Sequence, residues 1–538
     1  MKIKNPIIKG FNPDPSIVKV DQTYYLATST FEWFPGVQIF ESKDLKNWKL
    51  VTHPLADREM LDMRGDPDSG GVWAPDLSYH NGKFWLIYSD CKVSAGIFKD
   101  VHNYLITSEN IDGPWSKPIY VGDSGCDASI FVDQQSEKMY IVNRYWDPRP
   151  YNHHFYGIEL TEYSPDKESL LTETSQIIFK GTDAKYVEGP HIYQKDGWYY
   201  LFAAQGGTHY EHQEVVARSK SLYGEYEVQP NGPFLTTFDA PYHEYQKAGH
   251  GDIVADLEGN YYYVHLIARP LHRSNESFLN PRGFCSLGRE VAIQNIIWKH
   301  GEWPQIVGGK HGREIIEGPN IEENKFSPTF KEIDHFDESD LNINFQTLRI
   351  PFNEIGSLKA RKGYLRLYGK ESLNSTFVQA HVARRWESLN FNSETCIEFN
   401  PTNIQQMAGI TNYYNTQNWS VLAVIWDEKR GKSLDIWQSD HGNVSSFFGR
   451  NVVQVPNEID RIYLRSSVRG DHYFYSYSFD GKDWEKIDND IPTYKLSDEY
   501  ILETYKADFT GAFVGMVNID GIGINNPADF DYFKYQEL

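Results

Sequence analysis

Cysteine is scarce in this chain. Cys91, Cys126, Cys285 and Cys396 are all there is in 538 residues, and they stand without metal-site spacing. This excludes a disulfide framework and a cysteine-ligated zinc site, and it suits free thiols in a reducing compartment. Positive charge is in deficit as well: 52 Lys and Arg face 74 Asp and Glu, a formal net charge of −22. A nucleic-acid backbone or an anionic membrane surface would find no basic face to hold. No run of about 18 apolar residues is present to span a membrane. The opening Met1-Lys2-Ile3-Lys4-Asn5-Pro6 leads into no apolar stretch of the kind a secretory leader carries. The expectation is a cytoplasmic protein working on small imported molecules, with neither nucleic acid nor membrane as partner.

Helical periodicity is nearly missing from the first half, and aromatic side chains are abundant: 36 Tyr, 30 Phe and 14 Trp make up 15 % of the chain. Aromatics favour strands. Five segments repeat one pattern, a short polar turn, an aliphatic anchor, a polar hairpin and an aromatic strand. Asp14-Pro15-Ser16-Ile17 leads to Tyr24-Tyr25-Leu26, Ala74-Pro75-Asp76-Leu77 to Phe84-Trp85-Leu86, and Asp127-Ala128-Ser129-Ile130 to Met139-Tyr140-Ile141. Gly189-Pro190-His191-Ile192 leads to Tyr199-Tyr200-Leu201, and His250-Gly251-Asp252-Ile253 to Tyr261-Tyr262-Tyr263. The anchors are spaced by 60, 53, 62 and 61 residues, a period that predicts blades of about four strands each. Asn81-Gly82 and Asp196-Gly197 are hairpin turn pairs.

After Arg289 the pattern changes. A polar stretch rich in Gly, Pro and Glu follows, and from Phe330 a new series of strands begins, among them Tyr364–Tyr368, Ser420–Trp426 and Tyr473–Phe479. The fold class predicted is all-β: a five-bladed β-propeller over residues 1–308, a linker over 309–329 and a β-sandwich over 330–538.

In a propeller the residues just ahead of each inner strand converge on one funnel. Here these are Asp14, Ala74, Asp127, Gly189 and His250, with Glu188 one step earlier in the fourth repeat. Three carboxylates in one cavity raise one another's pKa, a cost that a structural role rarely requires. Cleavage of a glycosidic bond requires two carboxyl groups in different protonation states: one protonates the leaving oxygen, the other activates water or attacks the sugar. The third can hold the acid's pKa up. Singly, Asp14 and Asp127 also fit ordinary turns. His250 fits either a hydrogen-bond donor to a carboxylate or a ligand for a divalent cation such as calcium. No second His or Cys stands at ligand spacing, so no metal is firmly assigned and no cofactor is required. Arg289 suits a carboxylate or a sugar hydroxyl. Phe31 and Trp73 suit either the walls of a sugar site or blade packing.

These residues also carry a family resemblance. Gly10-Phe11-Asn12-Pro13-Asp14-Pro15-Ser16, Thr28-Ser29-Thr30-Phe31-Glu32-Trp33-Phe34-Pro35-Gly36, Trp73-Ala74-Pro75-Asp76, Glu188-Gly189-Pro190-His191, Gly206-Gly207-Thr208 and Gly288-Arg289-Glu290 resemble glycoside hydrolase family 43, in particular its two-domain β-xylosidases. In the second half Phe345-Gln346-Thr347-Leu348-Arg349 and the run from Phe509 to Met516 match too. The resemblance implies that Asp14 is the general base, Glu188 the general acid, and Asp127 the residue that orients the acid and tunes its pKa. It implies inversion at the anomeric carbon and a concanavalin-like second domain. It also implies a blind pocket for one non-reducing xylose, closed in part by a sandwich loop that carries Phe509; the other candidate substrate-binding residues are Phe31, Trp73, Ala74, His250 and Arg289. One departure is Asp127-Ala128-Ser129, where relatives often have Pro after the Asp.

The reaction so expected removes single D-xylose residues from β-1,4-xylooligosaccharides, in a homo-oligomer. The same scaffold also hosts α-L-arabinofuranosidases and bifunctional enzymes. A non-catalytic sugar-binding propeller is the reading of another class.

Overall fold

The computed structural model describes the chain except residues 153–155, 273–280, 325, 327–331, 447–451, 488–489 and 505–506. Phe330, the predicted start of the second strand series, lies outside the described residues, as does the end of the predicted linker. Five antiparallel sheets form the first part, each beginning on one of the repeat segments. Their innermost strands are Ser16–Val20, Gly71–His80, Gly125–Val132, Glu188–Lys195 and Gln246–Ala255. Each packs against the inner strands of both neighbouring blades, so the ring is closed. The aromatic strands predicted from the sequence are the second strands, Thr23–Thr28, Lys83–Val93, Met139–Trp146, Trp198–Gln205 and Tyr261–Ala268. Asn81-Gly82 and Asp196-Gly197 have positive φ at both residues, as a type I′ hairpin turn needs.

The ends of the propeller are tied without a shared blade. Lys2–Lys4 pairs with Ile315–Glu317, and the buried Asn5 side chain exchanges two 2.9 Å hydrogen bonds with the backbone of Ile293. The polar stretch expected as a linker therefore begins as a strand on the propeller. It continues along blade one, where the Asn324 amide donates to Asp44 at 2.8 Å.

The second part is two nine-stranded antiparallel sheets around an apolar core that includes Ile397, Leu422, Leu464, Met516 and Phe530. The expected strands appear as Leu365–Tyr368, Asn418–Asp427 and His472–Ser478. One strand of this sandwich comes from the propeller: Trp33–Phe34, in the loop after blade one's second strand, pairs with Gln346–Leu348. Trp33 stacks on Phe513 with ring centres 3.7 Å apart. Two buried ion pairs cross the same seam, Arg349 to Asp68 at 2.9 Å and Lys247 to Asp498 at 2.7 Å. Removing one partner of such a pair typically costs about 3–5 kcal/mol. Among the described residues the only α-helix is the short Asp498–Leu502, and no helix is long and apolar enough to cross a membrane. All four cysteines are buried and unpaired.

Candidate active site

The five repeat-equivalent residues share an uncommon backbone conformation. Asp14, Ala74, Asp127, Gly189 and His250 have φ of 55, 33, 54, 54 and 46°. In blades two to five the inner ladder slips at this point, between Trp73 and Asp76, Cys126 and Ser129, Glu188 and His191, and Gly249 and Gly251. Such bulges re-aim side chains. Each left-handed non-glycine residue costs on the order of 1–3 kcal/mol and persists only where its surroundings hold it. The fourth position is glycine for a steric reason as well: a Cβ there would lie 2.6 Å from His250 Nε2.

Around Asp14 the surroundings are explicit. Its Oδ2 accepts from the Ser29 hydroxyl at 2.7 Å and its Oδ1 from Arg289 Nη1 at 3.0 Å, with His250 Nδ1 3.5 Å from the same Oδ1. Burial pushes the Asp14 pKa up, but the Arg289 guanidinium, His250 and Ser29 outweigh it and hold the group below its ordinary 3.8. Ala74, expected among the binding residues, enters differently. It is off the cavity wall, and its amide donates to Ser29 Oγ at 2.7 Å, fixing the hydroxyl that holds Asp14. His250 is held in turn by Glu214, which accepts the His250 amide at 2.9 Å. Arg289 already occupies the Asp14 oxygen that His250 faces, so a cation held between these two would sit beside a guanidinium.

Glu188 is shifted the other way. Burial raises it first; Arg144 opposes, Asp127 and Asp14 add to the rise, and the group reaches about 7. Arg144 Nη1 donates to Glu188 Oε2 at 2.5 Å. The two carboxyl groups are thus shifted in opposite directions on one site, the pairing that acid–base cleavage needs.

Asp14, Asp127, Glu188, His250, Arg289, Phe31, Trp73 and Phe509 all line one cavity of about 340 Å³. Phe31, Trp73 and Phe509 form its aromatic wall, with ring centres 5.9–6.2 Å apart. Phe509 comes from the sandwich and its carbonyl accepts from Arg289 Nη2 at 2.9 Å. A larger cleft, about 670 Å³, lies on the seam around His53 and Phe352, away from these carboxylates.

Residues 3–304 match the model for glycosyl hydrolases family 43, and residues 333–536 that for the β-xylosidase C-terminal concanavalin A-like domain. The chain belongs to glycoside hydrolase family 43. It is 52 % identical over 538 residues, all of both chains, to a β-xylosidase of Bacillus subtilis strain 168. It is 42 % identical over 540 residues to xylosidase/arabinosidase 43B of Humicola insolens, covering 100 % of this chain and 98 % of that one. Among solved structures, xylan β-1,4-xylosidase from Bacillus halodurans C-125 superposes with a TM-score of 0.94 at 44 % identity, over 99 % of this chain and 100 % of the other.

Several residues of this family 43 site escaped the sequence reading. Arg144, Trp146, Tyr156 and Tyr186 line the same cavity, with Lys99 above Trp146 at 4.2 Å. They sit at strand ends and in loops of blades two to four rather than at the repeat position, so the period does not mark them. Ser29 and Glu214 act through hydrogen bonds that only the folded register brings about.

Proposed function

We propose that this glycoside hydrolase is an inverting, exo-acting β-xylosidase that releases single D-xylose residues from the non-reducing ends of β-1,4-xylooligosaccharides. The observation that carries the reading is two carboxyl groups in opposed surroundings on one small cavity: Asp14 held by Arg289 and Ser29, Glu188 buried beside Asp127 and Asp14, which push its pKa up. In the proposed reaction Asp14 takes a proton from water as that water attacks the anomeric carbon. Glu188 gives its proton to the glycosidic oxygen as the C–O bond breaks. Asp127 keeps Glu188 protonated by its negative charge. Arg289 and His250 keep Asp14 ionised. No step passes through a metal.

Exo action is supported by the sandwich, whose Phe509 walls the propeller funnel. The full-length similarity to the Bacillus subtilis β-xylosidase and the Bacillus halodurans xylan β-1,4-xylosidase supports xylose as the sugar and β-1,4 as the linkage. A second reading, activity on α-L-arabinofuranosides in the same pocket, is favoured by the Humicola insolens relative. A sugar-binding propeller without catalysis would leave the opposed carboxyl groups without a task. Cytoplasmic location and a homo-oligomeric state belong to the same proposal. Release of p-nitrophenol from the β-xyloside and the α-arabinofuranoside, measured side by side, tests it. A strong preference for the xyloside is expected. Preference for the arabinofuranoside would install the second reading, and binding without release the third.

A further inference from the structure

Ser69 lies outside the cavity wall, 2 % exposed, on the propeller loop that leads into blade two. All three of its polar groups are engaged. Its hydroxyl accepts the Phe509 amide at 3.1 Å, its carbonyl accepts the Trp73 indole N–H at 2.9 Å, and its own amide donates to Glu32 Oε2 at 3.2 Å. Phe509 and Trp73 are two of the three aromatic walls, one from each half of the molecule, and they meet edge to face.

The residue is held for this task. Its φ is 58°, a conformation a serine keeps only under constraint. The preceding Asp68 is pinned by the sandwich: Arg349 Nη2 donates to it at 2.9 Å, and both the amide and the hydroxyl of Thr416 donate to its other oxygen. Arg349 Nε also takes the carbonyl of Asp66 at 2.8 Å. The Phe509 peptide is bracketed by two propeller side chains: Ser69 holds its N–H, and Arg289, which also holds Asp14, takes its carbonyl. Residues 507–510 belong to no strand or helix, so these ties stand in for a ladder.

We propose that Ser69 is a positioning residue that sets the aromatic wall of the sugar pocket by fixing the sandwich's Phe509 and the propeller's Trp73 to one point. The inference rests on Phe509 and Trp73 contacting the sugar, as in the function proposed above. It adds a specificity determinant that touches no substrate.

The test is Ser69→Ala and Ser69→Gly. Both remove the hydroxyl, and Gly also relieves the backbone. One buried neutral hydrogen bond of about 0.5–1.5 kcal/mol corresponds to about 2- to 12-fold in binding. Both variants should therefore raise KM for xylobiose, and the inhibition constant of xylose, by that factor. Their kcat should stay within about twofold of the wild type, because Asp14 and Glu188 keep their partners. In a Phe509→Ala background the Ser69→Ala effect should shrink by more than half, a coupling that a general folding role would not produce. Unchanged KM in folded Ala and Gly variants, or equal effects in both backgrounds, would overturn the proposal. So would loss of a cooperative melt in Ala, Gly and the near-isosteric Ser69→Cys alike, since Ser69 would then be a folding residue. A wild-type enzyme inactive on β-xylosides would instead defeat the functional reading itself.

Discussion

Two rings of side chains lie on, or just ahead of, the same five inner strands, two residues apart, and they behave differently. The upper ring is Asp14, Ala74, Asp127, Gly189 and His250; the lower is Ser16, Asp76, Ser129, His191 and Asp252. Both contain two aspartates and a histidine. In the lower ring the carboxylates are spent on neighbouring blades. Ser16 Oγ lies 3.0 Å from Asp76 and 3.1 Å from Asp252, and the amides of Ile130 and Ile17 donate to these two carboxylates. Tyr193 adds a 2.5 Å bond to Asp252, and Ser129 donates to the Pro190 carbonyl. In the upper ring the backbone is left-handed and the carboxylates face a cavity; Arg289 holds Asp14, and Arg144 holds the adjoining Glu188. Carboxylates near a propeller axis do not by themselves make a catalytic site. In the function proposed here, an arginine on the carboxylate and an open face make the difference.

The largest effect should separate the rings most sharply. Asp14→Ala should remove activity on every xyloside by at least about 10² in the folded protein, the usual contribution of an acid–base group. Asp252→Ala should do the reverse. It orphans the Ile17 amide and the Tyr193 hydroxyl, at about 1–3 kcal/mol for each buried donor, so it should lower the melting temperature while the folded fraction still turns over. Equal losses of activity in folded protein would erase the distinction. Glu188→Ala comes next: turnover of xylobiose should nearly vanish, while aryl xylosides with activated leaving groups, which need little protonation, should lose much less. Equal loss on both would argue against Glu188 as the acid.

The pH profile sharpens the comparison further. Activity needs Glu188 protonated and Asp14 ionised, so kcat/KM should fall as pH rises through about 7 and hold steady down to below 3.8. For stability the signs differ between the rings. Burial raises Asp76 to about 6. Between 3.8 and 6 the folded chain therefore keeps a proton that the unfolded chain has lost, and this group's contribution falls as pH rises through that window. Asp14, depressed in the fold, contributes stability above 3.8 that is lost as pH drops through its lowered value. Melting curves of Asp76→Asn and wild type between pH 4 and 7 should show a shallower slope in the variant; parallel curves would contradict the assignment.

Phe509→Ala should have the smallest effect. It should raise KM for xylobiose with a modest change in melting temperature, because the ring is only partly buried. A drop of the size expected for a core Phe, about 3–5 kcal/mol, with normal KM would place it in the core instead.

Much of this was legible in the sequence because a repeat is a geometric statement. Five anchors at a near-constant period gave the blades, and the residue three places before each anchor gave the upper ring. Turn pairs such as Asn81-Gly82 were readable because their φ requirement is local. The strand Trp33–Phe34 was not. Its aromatic-rich loop reads as a pocket lining, and only the seam shows that two of its residues complete a sheet 300 residues away in sequence. Arg144 stayed hidden for a similar reason: an arginine in a half-exposed strand reads as a solvated charge until Glu188 is placed beside it. The sandwich strand order, in which Pro527–Glu537 lies between Leu365–Tyr368 and Asn390–Glu398, leaves no local signal at all.

The central claim is that water, held by Asp14, attacks while Glu188 protonates the leaving group, in a single displacement. Proton NMR of the first sugar released from a β-xyloside, recorded before mutarotation, tests it most directly. The account requires α-xylose to appear first; β-xylose as the initial product would mean a retaining mechanism and would contradict it.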